Sequence, residues 1–285
     1  MKLGVHLPLM EFGDEGQSLE RLTRAVDAAR ECGFAAVSAN DHFLFQAPWL
    51  DGPTALAAAI ERSGDMELAT TIALVSLRGP VALAKTLAAL DVLSGGRVVA
   101  GVGPGSSERD YAAADVPFAD RWARFEAATV RLRELLGPSS ELAPAPVRPG
   151  GPPLWLASWG SAAGMRRVAR LADGWFASAY NTTPERFAAG RATLPEGFPN
   201  ALVTMWTWIT EDEREGDRVL REVLAPLLKR DPQELAAQVC VGPAERCARL
   251  LSRYAAAGCE RVYLWPLGDE PRQIELAASD VLPAI

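Results

Sequence analysis

The segment LERLTRAVDAARECGFAAVSANDH, residues 19–42, contains one complete helix-to-strand unit. Its apolar residues recur at steps of three and four from Leu19 to Ala29, which predicts an amphipathic helix, and Gly33 is suited to end that helix. Residues 34–39 (FAAVSA) are mostly apolar on both faces, as in a parallel strand covered by helices. The strand ends in the polar triplet NDH. This unit therefore predicts a buried parallel sheet with polar groups at the carboxyl ends of its strands.

The same alternation recurs along the 285-residue chain. Helical spacing separates eight strand candidates, at residues 2–8, 34–39, 67–73, 97–102, 153–158, 173–178, 201–209 and 260–265. Eight such units fit a (β/α)8 TIM barrel, for which about 250 residues are typical. A doubly wound sheet is less favoured, because LPLMEFGDEG after the first strand lacks the GxGxxG turn. We expect a single barrel domain over residues 1–285, with a Pro- and Gly-rich loop at 137–153.

Composition narrows the class of protein. An apolar fraction of 49% and a charged fraction of 23% are those of a soluble globular protein, and the net charge of −7 disfavours nucleic acid or an anionic membrane as partner. No apolar run approaches the roughly 20 residues of a membrane span, and the N-terminus does not resemble a signal peptide. The four cysteines lack ligand spacing, so neither metal nor disulfides are expected. We expect a cytoplasmic protein.

Both histidines of the chain fall at strand ends, where TIM barrels carry their active sites. His6 lies near the end of the first strand, and His42 follows the second. Histidine exchanges protons near neutral pH, although a satisfied polar core residue is the alternative for each. We expect His42 to face the cavity and Asp41 to orient the local loop or a polar group of a cofactor.

Two loops on the same rim have the composition of anion sites. GVGPGSSER, residues 101–109, is glycine-rich, and SWGSAAGMRR, residues 158–167, runs from a strand directly into a helix. A tight turn and a plain helix N-cap are the alternatives. The candidate cofactor-binding residues here are Gly103, Gly105, Ser106, Ser158, Gly160 and Ser161, with added charge from Arg109, Arg166 or Arg167.

Aromatic side chains near this rim could enclose a flat ligand. Some of them must belong to the core. The candidate substrate pocket comprises His6, Phe43, Trp49, Tyr180, Trp208 and Trp265, with Phe45 and Trp159 nearby. A glycosidase would instead need two facing rim carboxylates, and Asp41 is the one acid that the pattern places at a strand end.

Several blocks together resemble the bacterial luciferase-like family of flavin-dependent monooxygenases and F420-dependent oxidoreductases. These blocks run in the family's order almost from end to end: MKLGVHLP, GFAAVSANDHFLF, LAALDVLSGGRVVAGVGPG, RWARFEAATVRLRELL, PPLWLASWGSAAGMRRVARLADGWFAS and VGPAERCARLLSRYAAAGCERVYLWPL. The resemblance implies a (β/α)8 barrel that holds FMN or F420 at its mouth, usually in a homodimer. The short region after 137 lacks the long insertion that covers the substrate in some members, which implies a more open mouth.

The resemblance also implies roles for residues. His42 matches the acid/base near the reactive ring, and Asp41 the acid that helps to hold the ring. Thr71-Ile72 falls where many members have a cis peptide behind the ring, and the two loops match those that receive the cofactor phosphate. Asp91, Arg97, Arg121 and Glu126 belong to the signature blocks, but ion pairs or a dimer interface would explain them equally.

The form NDHF favours F420 over FMN as the cofactor. The expected function is hydride transfer between F420 and a small organic substrate, with His42 as acid/base. An FMN-dependent monooxygenase that uses reduced flavin and O2 is the alternative. A flavin-binding barrel without turnover is the alternative from another class.

Overall fold

The computed structural model describes residues 1–12 and 16–285. Its described residues form one sheet of ten strands: β1 (Lys2–His6), β2 (Ala36–Ala39), β3 (Glu67–Thr70), β4 (Ala73–Leu74), β5 (Val98–Gly103), β6 (Leu154–Ala157), β7 (Gly174–Ser178), β8 (Asn200–Ile209), β9 (Cys240–Gly242) and β10 (Arg261–Pro266). The order β10-β1-β2-β3-β5-β6-β7-β8 is parallel throughout, and pairing of β8 with β10 closes the ring. The predicted (β/α)8 barrel is confirmed.

Two short strands depart from the prediction. The expected strand 67–73 is interrupted, because β3 ends at Thr70 and the Thr71–Ile72 peptide bond is cis before β4 resumes pairing with β5. The three-residue β9 pairs in parallel with the carboxyl end of β8. It is too short to give a periodic signal in the sequence.

Helices connect the strands on the outside of the barrel. They are α1 (Leu19–Glu31), α2 (Gly52–Ala59), α3 (Val75–Arg78), α4 (Pro80–Leu93), α5 (Glu108–Ala113), α6 (Arg121–Leu136), α7 (Ala162–Leu171), α8 (Pro184–Arg191), α9 (Glu213–Arg218), α10 (Ala225–Leu228), α11 (Pro232–Ala236), α12 (Ala244–Ala256) and α13 (Glu270–Leu276). Side-chain caps start several of them, including Ser18 before α1 and Ser161 before α7. Pro80 and Pro184 occupy first helical positions, where a missing N–H is tolerated.

The barrel interior is narrow and is filled by small and large side chains together. Gly101 shows how tight it is: a Cβ there would lie 2.0 Å from the carbonyl oxygen of Thr70 and 2.5 Å from the Phe176 ring. The other residues of this inner cluster are Ala36, Ala69, Val99, Trp155, Ala201, Val203 and Tyr263. This packing fills the middle of the barrel, so that space for a ligand remains at the carboxyl ends of the strands.

The connection from α6 to β6 contains neither helix nor strand, as predicted for residues 137–153. It includes a cis bond between Ala143 and Pro144, and the Asp91 carboxylate accepts a hydrogen bond from Val147 N–H at 2.9 Å. Within the described ranges, no helix is both long and apolar enough to span a bilayer.

Candidate functional site

A cavity of about 360 Å³ opens at the carboxyl ends of the strands from β2 to β8. Of the predicted catalytic and cofactor residues, its lining includes Asp41, His42, Thr71, Ile72, Gly103, Gly105, Ser106, Ser158 and Ser161. Of the predicted substrate pocket, Tyr180 lines the cavity, whereas Phe43, Trp49, Trp208, Trp265 and His6 do not, as far as the described residues go. Gly160 lies beside the cavity and is not part of its lining either.

His42 forms a hydrogen-bonded pair with Asp110. The distance between His42 Nδ1 and Asp110 Oδ2 is 2.7 Å, and the other carboxylate oxygen accepts the N–H groups of Phe43 at 3.0 Å and Leu44 at 2.7 Å. Burial alone would raise the pKa of Asp110, but the hydrogen bonds from His42 and the two backbone N–H groups outweigh it and leave that pKa below its ordinary value. An ionised carboxylate can only accept, so His42 Nδ1 carries the proton of this hydrogen bond.

Sequence reasoning missed Asp110. Ser107 caps α5 by accepting from Asp110 N–H, so the acid stands in the first turn of a short helix. Aspartate is common there because it favours the positive end of the helix dipole. That signal alone gives no hint of a histidine partner 68 residues away.

Asp41 is held by the protein itself. Its carboxylate accepts from Arg78 Nε at 2.6 Å, Arg78 Nη2 at 2.7 Å and Leu74 N–H at 3.1 Å. Arg78 also pairs with Asp51, the N-cap of α2. Although burial alone would lower the pKa of Arg78, these two carboxylates raise it above its usual range. Asp41 therefore ties the end of β2 to α2 and α3, which fixes the backbone that carries His42.

The cavity floor lies between β2, β3 and β5. The Thr71–Ile72 peptide bond is cis, as the resemblance implies, and the Ile72 side chain packs so close to Gly103 that a Cβ there would lie 2.9 Å away. Asn40 Oδ1 and Thr71 Oγ1 are buried on this floor and have no hydrogen-bond partner among the described residues. Two unpaired polar atoms at the base of a cavity are suited to the polar edge of a ligand.

The two loops predicted to bind anions border the same cavity, and arginine side chains line it beside them. Ser161 accepts from Gly164 N–H at 3.2 Å as the cap of α7, and Arg167, on the same helix, lines the cavity as well. Arg121 and Arg186 also line the cavity, which the sequence did not single out for this role. Arg167 is the one of the three predicted arginines that reaches the lining. Its Nε donates to Glu126 at 2.8 Å.

His6 is buried in the barrel wall. Its Nε2 accepts from Asn40 N–H at 3.1 Å, its Nδ1 lies 2.7 Å from the Leu7 carbonyl oxygen, and its ring stacks on Trp265 at 3.5 Å between centroids. Burial lowers the pKa of His6 to about 3, with smaller opposing contributions from the hydrogen bonds to Leu7 and Asn40. Both ring nitrogens are thus engaged by backbone, and the side chain is neutral.

An aromatic cluster adjoins the His42 ring. Trp49 and Phe45 contact the His42 ring with centroid distances of 4.7 and 4.8 Å, and Trp265 lies 5.6 Å from Trp49. Trp208 packs in the same cluster. These rings support the imidazole from one side.

No group of three metal-ligating side chains occurs within residues 1–12 and 16–285. The cysteines at 32, 240, 247 and 259 are free thiols.

Comparisons with known proteins agree with this barrel fold. The family model of luciferase-like monooxygenases matches residues 1–204, which is most of the chain. The chain belongs to the luciferase-like monooxygenase family, and the resemblance seen in the sequence is confirmed.

Curated relatives match part of the chain. An F420-dependent glucose-6-phosphate dehydrogenase from Amycolatopsis mediterranei is 30% identical over 142 residues, 47% of this chain and 39% of the relative. One of the same name from Gordonia bronchialis is 32% identical over 150 residues, 50% of this chain and 41% of the relative. The chain therefore spans less than half the length of these two relatives.

Solved structures match over the whole length and show the shared fold. A monooxygenase from Streptomyces bottropensis superposes with a TM-score of 0.82 at 21% identity, covering 99% of both chains. An F420-dependent secondary alcohol dehydrogenase in complex with an F420-acetone adduct gives a TM-score of 0.79 at 17% identity, covering 99% of this chain and 98% of the other.

Proposed function

We propose that this chain is an F420-dependent oxidoreductase in which hydride passes between the cofactor and a small organic substrate while His42 takes or gives the proton. The observation that carries the proposal is the His42–Asp110 pair on the cavity wall, with its 2.7 Å hydrogen bond. Family membership and the similarity to two F420-dependent relatives support the choice of cofactor.

The residues of the cavity fit a flavin-type ring with an anionic tail. Among the described residues, Asn40 Oδ1 and Thr71 Oγ1 are buried polar atoms without hydrogen-bond partners, and the polar edge of such a ring could satisfy them. Because Gly103 has no side chain, Ile72 can pack against the β5 backbone at the floor, where a flat ring would rest on it. Arg121 and Arg167, which also line the cavity, carry positive charge of the kind that a phosphate requires, although Arg167 is paired with Glu126 as well.

The chemistry divides between cofactor and protein. F420, when bound, supplies the ring carbon that accepts or delivers hydride. Asp110 holds His42 as the tautomer with Nδ1–H, so Nε2 can remove a proton from a substrate hydroxyl or return one to a carbonyl oxygen. The imidazolium that forms would be stabilised by the Asp110 carboxylate. The Asp41–Arg78 pair holds the backbone of β2 so that the imidazole stays in place.

Separate fluorescence titrations with F420 and with FMN test the proposal. Tight binding of F420 together with weak binding of FMN is the expected result. Tight binding of FMN alone would favour the FMN-dependent monooxygenase, and binding of neither would favour a barrel without turnover. Arg133→Gln is a suitable control, because Arg133 pairs with Asp173 and Leu171 outside the cavity and its loss should leave both affinities unchanged.

A further inference from the structure

A chain of hydrogen bonds reaches the cavity on the wall formed by β7 and β8. Arg230 Nη2 donates to Asn181 Oδ1 at 2.7 Å, and Asn181 Nδ2 donates to Ser178 Oγ at 3.0 Å. Ser178 Oγ lies 3.0 Å from Thr204 Oγ1, which in turn donates to the Val203 carbonyl oxygen at 2.6 Å. Ser178 and Thr204 line the cavity, and the acid/base pair uses neither of them.

The direction of these bonds follows from Arg230. A guanidinium can only donate, so Asn181 must turn its oxygen to Arg230 and its NH2 group to Ser178. Since the Thr204 proton is directed at the Val203 carbonyl, the Ser178 proton is the one that lies between the two hydroxyls. Both hydroxyl protons are therefore used within the protein. What the pair offers to the cavity is oxygen lone pairs.

The backbone at Thr204 is strained in order to present this hydroxyl. Its φ of 57° lies in the left-handed region, which a β-branched residue rarely adopts. Leu202 pairs with Val262 and Met205 with Leu264, so β8 has one extra residue and bulges at this point. Bulges beside active sites commonly redirect a side chain. Strain that persists at a cavity wall is a reason to look for function there.

We propose that Ser178 and Thr204 form a recognition site for a hydrogen-bond donor, an N–H or O–H group, of the molecule bound in the cavity. The inference rests on the proposed function for the identity of that molecule. The donor has two available sources, the pyrimidine N–H of the cofactor ring and the hydroxyl of a substrate in its alcohol form. A group that can only accept, such as a ketone oxygen, forms no hydrogen bond with these two hydroxyls.

Two matched pairs of probes identify the source. Riboflavin and N3-methylriboflavin differ in the ring N–H, and cyclohexanol and cyclohexanone differ in the hydroxyl proton. Dissociation constants would be measured by fluorescence for the rings and by ligand-observed NMR for the small probes. The wild type should prefer the donor of one pair by about three- to tenfold, the value of one hydrogen bond. Ser178→Ala and Thr204→Val should reduce that preference to less than about twofold, as expected when the bond is lost.

Ser252→Ala is the matched control, because the Ser252 hydroxyl donates to the Ala284 carbonyl oxygen on the outer face of the barrel. It should leave the preference unchanged. Equal affinities within both pairs in the wild type would overturn the inference, as would a preference that survives in both wall variants. Absence of ring binding together with preference for cyclohexanol would support the wall as a substrate site, and the separate F420 titration decides the proposed cofactor. No binding of any probe would overturn the inference, whereas failure to bind F420 would overturn the proposed function.

Thr204→Gly separates recognition from structure. Glycine adopts a positive φ without strain, which offsets the loss of the Thr204 hydrogen bonds, so the melting temperature should stay within about 2 °C of the wild type while the donor preference disappears. A threonine kept for packing would show the opposite pattern, a lower melting temperature with the preference intact. That pattern would overturn the inference.

Discussion

Asp110→Asn is expected to abolish most proton transfer by reversing the tautomer of His42. The backbone N–H groups of Phe43 and Leu44, at 3.0 and 2.7 Å, require an acceptor, so the new amide would keep its oxygen toward them. Its NH2 group would then face His42 Nδ1, which must become an acceptor and leave the proton on Nε2. An imidazole protonated on Nε2 cannot serve as the base.

The expected size of the effect follows from the bonds that remain. Asp110→Asn keeps both backbone hydrogen bonds, so the free energy of unfolding should fall by about 1–2 kcal/mol, the value of the charge-assisted bond to His42. Asp110→Ala leaves the two N–H groups and His42 without their partner and should cost about 3–5 kcal/mol. Turnover in the direction that needs a base should fall about 10²- to 10⁴-fold in Asp110→Asn, with the affinity for cofactor within a few fold.

Two measurements decide this prediction. Steady-state kinetics with the cofactor identified by titration would give the loss of turnover, and ¹⁵N NMR of the imidazole would report which nitrogen carries the proton. Asp110→Glu is a useful companion, because it retains the charge while displacing the carboxylate. Wild-type turnover in Asp110→Asn, or a His42 that keeps Nδ1–H in that variant, would refute the reasoning.

Three further predictions concern the barrel and its histidines. His42→Ala should keep cofactor affinity within a few fold and remove most turnover, and a variant with wild-type turnover would end the acid/base assignment. Gly101→Ala should cost more than about 3 kcal/mol in chemical denaturation, because the new Cβ would lie 2.0 Å from the Thr70 carbonyl oxygen. Gly216→Ala, whose Cβ would find only an ordinary contact at 3.4 Å, should change stability by less than about 0.5 kcal/mol. The buried His6 has a pKa of about 3, below its unfolded value, so the unfolded chain binds the proton first. Its contribution to stability is complete above about pH 6.5 and lost as the pH falls toward 3, with a slope of up to about 1.4 kcal/mol per pH unit that His6→Gln should remove.

The barrel could be predicted from the sequence because its signals are local. Apolar runs such as residues 34–39, and helical spacing ended by residues such as Gly33, repeat along the chain and do not depend on distant contacts. The rule that TIM barrels act at the carboxyl ends of their strands then placed His42 and the two loops on one rim. The structure brings these elements around one cavity.

What escaped prediction depends on tertiary contacts. The partner of His42 lies on α5, and no pattern in the sequence links the two. The unpaired atoms of Asn40 and Thr71, and the bulge at Thr204, arise from how strands are registered against each other. His6 lies at a strand end, as predicted, yet its ring stacks on Trp265 within the wall, because side-chain direction at a strand end depends on where the strand stops.

The short distance between the glycine loop and Asp110 has a consequence for how this sequence can diverge. Ser107 caps α5 and the acid follows three residues later, so the carboxylate has a fixed rotational position relative to the loop that begins at Gly103. One residue inserted between the cap and the acid would turn Asp110 by about 100° around the helix axis and away from His42. A change of length in this segment would therefore separate the two side chains. Across divergent relatives, the length of this segment should therefore track the presence of the histidine–aspartate pair more closely than overall identity does.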